Sequence, residues 1–419
     1  MKILVANLGS TSFKYRLFDM DSQRQIARGG IERIGSPESR ATVHIGDYQQ
    51  ELTVKAADHV EALRHGLAQL TDAGAGHHVP MVGGDPLVGA GRGCLRDVSE
   101  VSAIALKTVH GGRYSGVQRV TPDVLAAMEE MCGVAPAHNP PYIAAMRLLA
   151  EKLPQIPLVA VFETDFHATI PPYNQLYAVP YEWSESLSVR RWGFHGASHR
   201  YIAGRTAELL GRNDLRIISC HLGGSSSLCA IRHGQSVATS MGMSPQSGLP
   251  QNNRVGDFDA FALPRIMRQT GKSLAEVLAV LANQSGLLGI SGVSGDYRDI
   301  AEAADNGNAR ARLALDVYAA SVRHYLGAYM VELGGADAMV FTGGIGENRS
   351  DLRTAVCHNL AQLGIVLDPV ANQQACGEVA IHAPRGRVQI WVMPTNEELV
   401  VARMAAKLLM ESDVPNGTT

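Results

Sequence analysis

The chain has 419 residues, is 46% apolar and 18% charged, and carries a formal net charge of -3. Those values allow large cores and about two or three domains, and the absence of a long basic run argues against nucleic acid as the main partner. Its six cysteines (Cys94, Cys132, Cys220, Cys229, Cys357 and Cys376) are scattered with no Cys-x-x-Cys, so neither a zinc site nor a disulfide framework is indicated, and a reducing, cytoplasmic setting fits.

In chain order, "ILVANLGSTSFKYRLFDM" opens with two runs of strand-forming residues around a Gly9-Ser10-Thr11-Ser12 turn. "MKILVANLGS" turns polar too soon for a signal peptide, and no apolar run reaches the ~18 residues of a membrane span. Ile3–Ala6, Leu158–Phe162, Ile217–Cys220, Met339–Thr342 and Val388–Val392 are predicted as strands. "VEALRHGLAQL", "VLAAMEEM", "YIAAMRLLAEKL", "YIAGRTAELL" and the segment from Ala309 to Leu333 have helical spacing. Alternation of the two types predicts an α/β architecture. The glycine-rich stretch 71–94 breaks the pattern and reads as a loop; His77 and His78 there are either metal candidates or solvent-exposed.

One internal echo organises the chain. "ILVANLGSTSFKYRLFD" and "IISCHLGGSSSLCAIRHG" both place an apolar strand, a polar residue (Asn7, His221), Leu-Gly, a hydroxyl-rich turn and a second strand. Two copies about 214 residues apart predict two related domains rather than a solenoid. Each turn is a candidate phosphate clip, because backbone N–H groups can hold phosphate oxygens without a helix; an ordinary hairpin is the alternative. The two clips are expected to face each other across a cleft. Gly271-Lys272-Ser273 is not a Walker loop, since Ile266 stands where a glycine is required; a helix C-cap is expected there. "GAGRGC" does not match the dinucleotide fingerprint, which disfavours a dehydrogenase.

A series of segments resembles the acetate kinase family: "NLGSTSFKY", "VHGGRYSG", "APAHNPPY", "VFETDFHATIP", "RRWGFHGASH", "HLGGSSS", "TSMGMSPQSGL", "NRVGDFD", "SGLLGISGVSGDYRD", "VFTGGIGENR" and "PTNEELVVA". They occur in the family's order across nearly the whole chain. The resemblance implies two similar domains of the actin-like ATPase (ribonuclease H-like) type around a central nucleotide cleft, at 1–162 with 399–419 and at 163–398. It implies reversible phosphorylation of a small carboxylate by ATP, with Mg²⁺ (or Mn²⁺) as cofactor, in a cytoplasmic homodimer with no nucleic acid or membrane partner. The helix 309–333 is either a dimer interface or domain core.

The same resemblance implies roles. Arg254, His195 and Glu163 are the catalytic candidates: Arg254 for transition-state charge, His195 for the transferring phosphoryl group, Glu163 for the metal or its water. A surface ion pair with Asp257 is the plainer reading of Arg254. Lys107 is expected to anchor the substrate carboxylate. Val109, Ala137, Phe194 and Pro245 are expected to line an apolar pocket, and His138 is a cleft histidine or a structural one. Lys14, His221, Gly223, Gly224, Asp296, Arg298, Gly343, Gly344, Gly346 and Asn348 are the ATP-binding candidates; Lys14 could equally be a solvated strand residue. Asn7 and Glu397 are the metal candidates, with Glu398 the alternative to Glu397.

The chain departs from the family pattern at four places. "FET" replaces "FDT", so Glu163 stands for an aspartate. "LKTVHGG" replaces "HRVVHGG", so Lys107 stands for an arginine and loses its bidentate fork. "HLGGS" replaces "HLGNG", so Gly224 stands for an asparagine, and "GLPQNNRVGD" replaces "GLMMGTRSGD" before Arg254. Ala137 stands where leucine is usual, which points to an acceptor larger or more polar than acetate. Two other readings stay open: a diverged nucleotide-binding homologue without turnover, and a kinase of a hydroxyl with Glu163 as base.

Overall fold

A computed structural model describes residues 1–9, 11–71, 93–135 and 139–412. The stretch with His77 and His78 lies outside them, as do Ser10, Ala137 and His138. The chain divides into two units, Met1–Asp165 with Glu397–Thr419, and Phe166–Asn396.

The first unit is built on an eight-stranded sheet: β1 (Lys2–Leu8), β2 (Ser12–Asp19), β3 (Arg24–Glu32), β4 (Ser39–Ile45), β5 (Tyr48–Val54), β6 (Val101–Thr108), β7 (Val117–Arg119) and β8 (Leu158–Phe162). Their order is β5-β4-β3-β2-β1-β6-β8-β7. β1, β6 and β8 run parallel, and β2 turns back antiparallel on β1 with Asn7 opposite Lys14. Alternation along β2 buries Phe13, Tyr15 and Leu17 and sends Lys14 and Arg16 to the other face. Phe13, Tyr15 and Leu17 join a core with the helices His59–Leu70, Pro122–Glu130 and Asn139–Lys152. Ile3, Val5 and Val161 pack on the other face against Val401, Ala402 and Ala405 of the helix Glu397–Ser412.

The second unit carries a six-stranded sheet: β9 (Arg216–Leu222), β10 (Ser226–Arg232), β11 (Gln235–Thr239), β12 (Ala338–Thr342), β13 (Val379–Ala380) and β14 (Gln389–Val392), ordered β11-β10-β9-β12-β14-β13. β9, β12 and β14 are parallel, and β10 returns antiparallel on β9. Read outward from the first hairpin, β3-β2-β1-β6-β8 and β11-β10-β9-β12-β14 are the same arrangement, which is the structural counterpart of the internal echo and the actin-like type expected.

The helix Ala309–Leu333 turns Ala311, Ala314, Leu315, Tyr318, Val322 and Leu326 into this unit's core, so that face is domain core. Gly271 ends one helix in the left-handed region at φ 70°, and Ser273 with Glu276 forms a capping box on the next; the Walker-like triplet is a helix boundary.

The β9–β10 turn is pinned from inside this core. Ser226 Oγ donates to the Gly223 carbonyl (3.0 Å), accepts from the Gly223 N–H (3.2 Å), and accepts from the fully buried Tyr318 hydroxyl (2.7 Å). Tyr318→Phe removes one of these bonds without changing the shape of the ring. Denaturant unfolding is expected to show a loss of about 1–2 kcal/mol; a change below about 0.3 kcal/mol would mean the bond contributes nothing net.

Candidate active site

In the first unit, β6 and β8 bring Lys107 and Glu163 to neighbouring strand ends, and the start of the C-terminal helix brings Glu397. Lys107 Nζ lies 3.2 Å from Glu163 Oε1 and pairs with Glu397 Oε2. Burial alone would lower the lysine pKa, but the two carboxylates outweigh it and hold it well above its ordinary value. Lys107 is therefore a permanent cation shared between two acids. Glu398 points elsewhere, 3.6 Å from Arg16 Nη1.

Asn7 and Lys14 line a cavity of about 260 Å³ whose walls also carry Arg16, Arg28, His44 and Glu398. Asn7 Oδ1 accepts from the Tyr142 hydroxyl (2.9 Å), which itself accepts from the Leu8 N–H (3.2 Å). Tyr142 lies inside the motif "APAHNPPY", but nothing in the sequence pairs it with a residue 135 positions away. Val109 follows β6 and is half-buried.

In the second unit, four histidines are tied to serines. His195 sits at φ 56°, a left-handed conformation uncommon outside glycine, at the start of the helix Gly196–Leu210. Its Nδ1 lies 2.8 Å from Ser227 Oγ, and its ring stacks on His221 at 4.2 Å. His221 Nδ1 is in turn 2.8 Å from Ser198 Oγ. His199, fully buried, contacts Ser219 Oγ through Nδ1 (2.8 Å) and the same Ser227 Oγ through Nε2 (2.9 Å). His167 donates from Nε2 to the Phe194 carbonyl (2.9 Å), which leaves Nδ1 to accept from Ser236 (2.9 Å). Burial pushes His167 down to about 4 and His199 well below its ordinary range, the latter helped by His167 and His221. Sequence reasoning named His195 and His221 but neither His167, His199 nor their serines. The helical spacing of His195, Ser198 and His199 and the alternation of Ser219 and His221 along β9 were the available signals.

Arg254 is carried by a tight turn in which the Gln251 N–H donates to the Arg254 carbonyl (3.0 Å). Its Nη1 reaches Gln251 Oε1 (3.2 Å) and Ser225 Oγ (3.4 Å), both neutral. The ion pair with Asp257 is not formed: Asp257 accepts from the Gly248 N–H (2.9 Å) and from the Tyr325 hydroxyl (2.6 Å). Burial lowers the Arg254 pKa from the ordinary arginine value, and the side chain stays charged. The turn is fastened by Gly286, whose φ is 59° and where a Cβ would stand 2.1 Å from the Gln251 carbonyl oxygen. Gln251 was missed because a buried glutamine has no sequence signature. Its Nε2 also donates to the Pro245 carbonyl (2.7 Å), and Phe194 and Pro245 are both buried.

The glycines meet at the sheet's strand ends. β12 runs straight into the helix Gly343–Asn348, and Gly343, at φ 78°, has no room for a side chain because a Cβ would lie 2.7 Å from the Leu222 carbonyl oxygen. Gly344 N adjoins Gly223, so the β9–β10 turn and this glycine run are neighbours. Gly346 packs over β9, and its carbonyl, with that of Glu347, is held by the buried Arg353 (2.8 and 2.9 Å). Asn348 bonds back to the Gly344 carbonyl. Asp296 caps the helix Tyr297–Asp305 and forms an exposed bidentate pair with Arg298, which holds its carboxyl near about 2.

The structure thus gathers Lys107, Glu163 and Glu397 in one unit, and His195, His221, Gly223, Gly224, Arg254 and the Gly343–Asn348 segment in the other. The Acetokinase family model matches residues 2–403. The chain belongs to the acetokinase family. An acetate kinase of Clostridium botulinum is 41% identical over 406 residues, covering 96% of this chain and 98% of that protein. The crystal structure of Porphyromonas gingivalis acetate kinase matches with a TM-score of 0.85 at 36% identity, over 97% of this chain and 99% of that one. A propionate kinase from Francisella tularensis matches with a TM-score of 0.84 at 31% identity, over 96% and 98%.

The neutral histidine core has a pH consequence. In the unfolded chain His167 takes a proton near its ordinary value of 6.5, whereas the folded chain refuses it down to about 4. Stability is therefore full above about pH 6.5 and falls as pH drops toward 4, by roughly 3 kcal/mol from this ring alone. Chemical denaturation at several pH values is expected to show a shallower acid slope for His167→Gln than for the parent chain; equal slopes would contradict a neutral buried ring.

Proposed function

We propose that this chain transfers the γ-phosphoryl group of ATP to a short-chain carboxylate, making an acyl phosphate, and runs the reaction backward with ADP. The observation that carries this reading is Arg254: a largely buried guanidinium whose hydrogen-bond partners are neutral oxygens, on a turn adjoining the glycine-rich strand ends. Such a cation suits the spreading negative charge of a phosphoryl group in transfer.

The acceptor carboxylate is already ionised near neutral pH, so no general base is needed. A carboxylate oxygen attacks the γ-phosphorus, the bond to the β-phosphate oxygen breaks, and ADP leaves. His195, held through Nδ1, hydrogen-bonds the transferring group, and Arg254 balances its charge. Gly223, Gly224 and the N–H groups of the Gly343–Asn348 segment hold nucleotide phosphates, and Asp296 and Arg298 lie on the nucleoside side. Lys107 keeps Glu163 and Glu397 fixed in position and remains the candidate anchor of the acceptor.

Among the described residues no three His, Cys, Asp or Glu side chains come together as a metal cage. Magnesium carried by nucleotide phosphates needs only one or two carboxylates from the protein. Glu163 and Glu397, both within reach of one lysine nitrogen, supply that number, with Asn7 beside Lys14 as a further oxygen donor. When bound, the ion neutralises phosphate charge. Relatives bear the names acetate kinase and propionate kinase, and we place the acceptor in that range, with the small Ala137 favouring acids longer than acetate. Dependence on ATP fits a cytoplasmic enzyme, and among the described residues no helix is long and apolar enough to cross a membrane.

The test is a hydroxylamine-trapping assay with Mg-ATP across acids from formate to branched and hydroxylated C5 acids. A hydroxamate signal peaking at C3–C5 is expected; acetate clearly preferred would refute the preference for longer acids. Silence across the panel with ATP binding intact would overturn the kinase reading. Arg254→Ala is expected to lower kcat by about 10³-fold or more while ATP still binds.

The homodimer is part of the same proposal. Phe261, Leu274 and Leu278 of the second unit are exposed, and a second copy covering them would remove that apolar surface from water. Sedimentation at micromolar concentration is expected to give about twice the chain mass; a monomer would refute it.

A further inference from the structure

Gly224 stands in the β9–β10 turn with a backbone open to any residue, since its φ is not left-handed. The space beside it is nevertheless taken. A Cβ at Gly224 would lie 3.1 Å from Asn252 Nδ2 and 3.6 Å from the Asn252 carboxamide carbon. The place a side chain at 224 would use is filled by the amide of a residue 28 positions later. Asn252 is locked there by its backbone: its N–H donates to the Gly224 carbonyl (3.2 Å), and its own carbonyl accepts from the Leu288 N–H (2.9 Å). Gly295 closes the other side, where a Cβ would come within 3.3 Å of the Asn252 Cβ.

The carboxamide oxygen itself is unused. Asn252 Oδ1 is buried and, among the described residues, has no hydrogen-bond partner. Leaving such a group unmatched is costly, and this one stands beside groups suited to a phosphate ligand. The neighbours name the chemistry. Ser225, next in the same turn, contacts Gln251 and Arg254, and Gly223 adjoins the N–H of Gly344. N–H donors and an uncompensated guanidinium beside one amide suit a phosphate oxygen for the Nδ2 donor. The Oδ1 acceptor suits a water or hydroxyl carried by the same ligand.

We infer that Asn252 is a nucleotide-binding residue, supplying to the β- or γ-phosphate the carboxamide that position 224 lacks. The inference rests on the reading of this turn as a nucleotide phosphate site. It makes Gly224 and Asn252 a matched pair in which one residue is small because the other reaches across.

Calorimetric titration with Mg-ATP, Mg-ADP and adenosine tests it directly and needs no acceptor. Asn252→Leu keeps the volume and removes the hydrogen bonding; Asn252→Gly removes both. Each is expected to weaken ATP and ADP about tenfold and to leave adenosine unchanged. Gly224→Asn alone is expected to weaken both nucleotides by crowding Asn252. The double variant Gly224→Asn with Asn252→Gly moves the amide across the turn and is expected to recover affinity to within about threefold of the parent. Parent-like binding by Asn252→Leu, or a double variant no better than Asn252→Gly, overturns the inference. A parent chain that binds ATP but phosphorylates no carboxylate refutes the kinase reading alone and leaves this result standing. A parent chain that binds no nucleotide overturns both.

Discussion

A polar or charged side chain can be buried only when its hydrogen-bonding atoms are met by partners. That constraint organises the candidate residues of each unit. In the first unit it appears as Lys107 shared between Glu163 and Glu397. A lone buried charge there would be intolerable, but a cation with an acid on each side is stable, and the three side chains hold one another in place. In the second unit it appears as the serine–histidine chain. His199 cannot reach water, so both ring nitrogens meet hydroxyls, and one of those hydroxyls, on Ser227, also meets His195. The orientation of a proposed catalytic ring is thus inherited from residues sealed beneath it.

The same constraint distinguishes structural groups from groups kept for a ligand. Asp257 is exposed, yet both its oxygens accept hydrogen bonds, from the Gly248 N–H and the Tyr325 hydroxyl. Arg353 is almost wholly buried, with its donors spent on Asn372 and on the Gly346 and Glu347 carbonyls. Both are fully committed within the protein. Arg254 and Asn252 are not: one has only neutral partners, the other has none for its buried carboxamide oxygen among the described residues. The contrast lies in how far the hydrogen-bonding groups of each side chain are met within the same unit.

The departures from the family pattern also read differently in three dimensions. Glu163 and Lys107 are distant in sequence, and each looks like a separate loss. In the structure they are partners, so a longer acid meets a cation with a single nitrogen. Gly224 looks like a lost contact until Asn252 is seen occupying its space. Gln251, in the same altered stretch, turns out to link Ser225, Arg254 and Pro245. Changes that appear scattered along the chain fall into two local clusters of neighbouring residues.

The strands, the principal helices and the repeated hairpin were legible in the sequence because they rest on local patterns. Alternation in "SFKYRLF", the helical period of 309–333 and the cap at Gly271–Ser273 need only neighbours a few residues away. The ordered motifs likewise pointed to the family, since their spacing along the chain is itself the signal. What the sequence could not hold is who meets whom. Tyr142 reaches Asn7 across 135 positions and Lys107 reaches Glu397 across 290. The ion pair with Asp257, the plainer alternative that adjacency offered for Arg254, did not form, because the turn at 251–254 sends the guanidinium to Gln251 and Ser225. Local preference sets the elements; hydrogen-bond satisfaction among buried groups sets their partners, and that is decided only when the chain has folded.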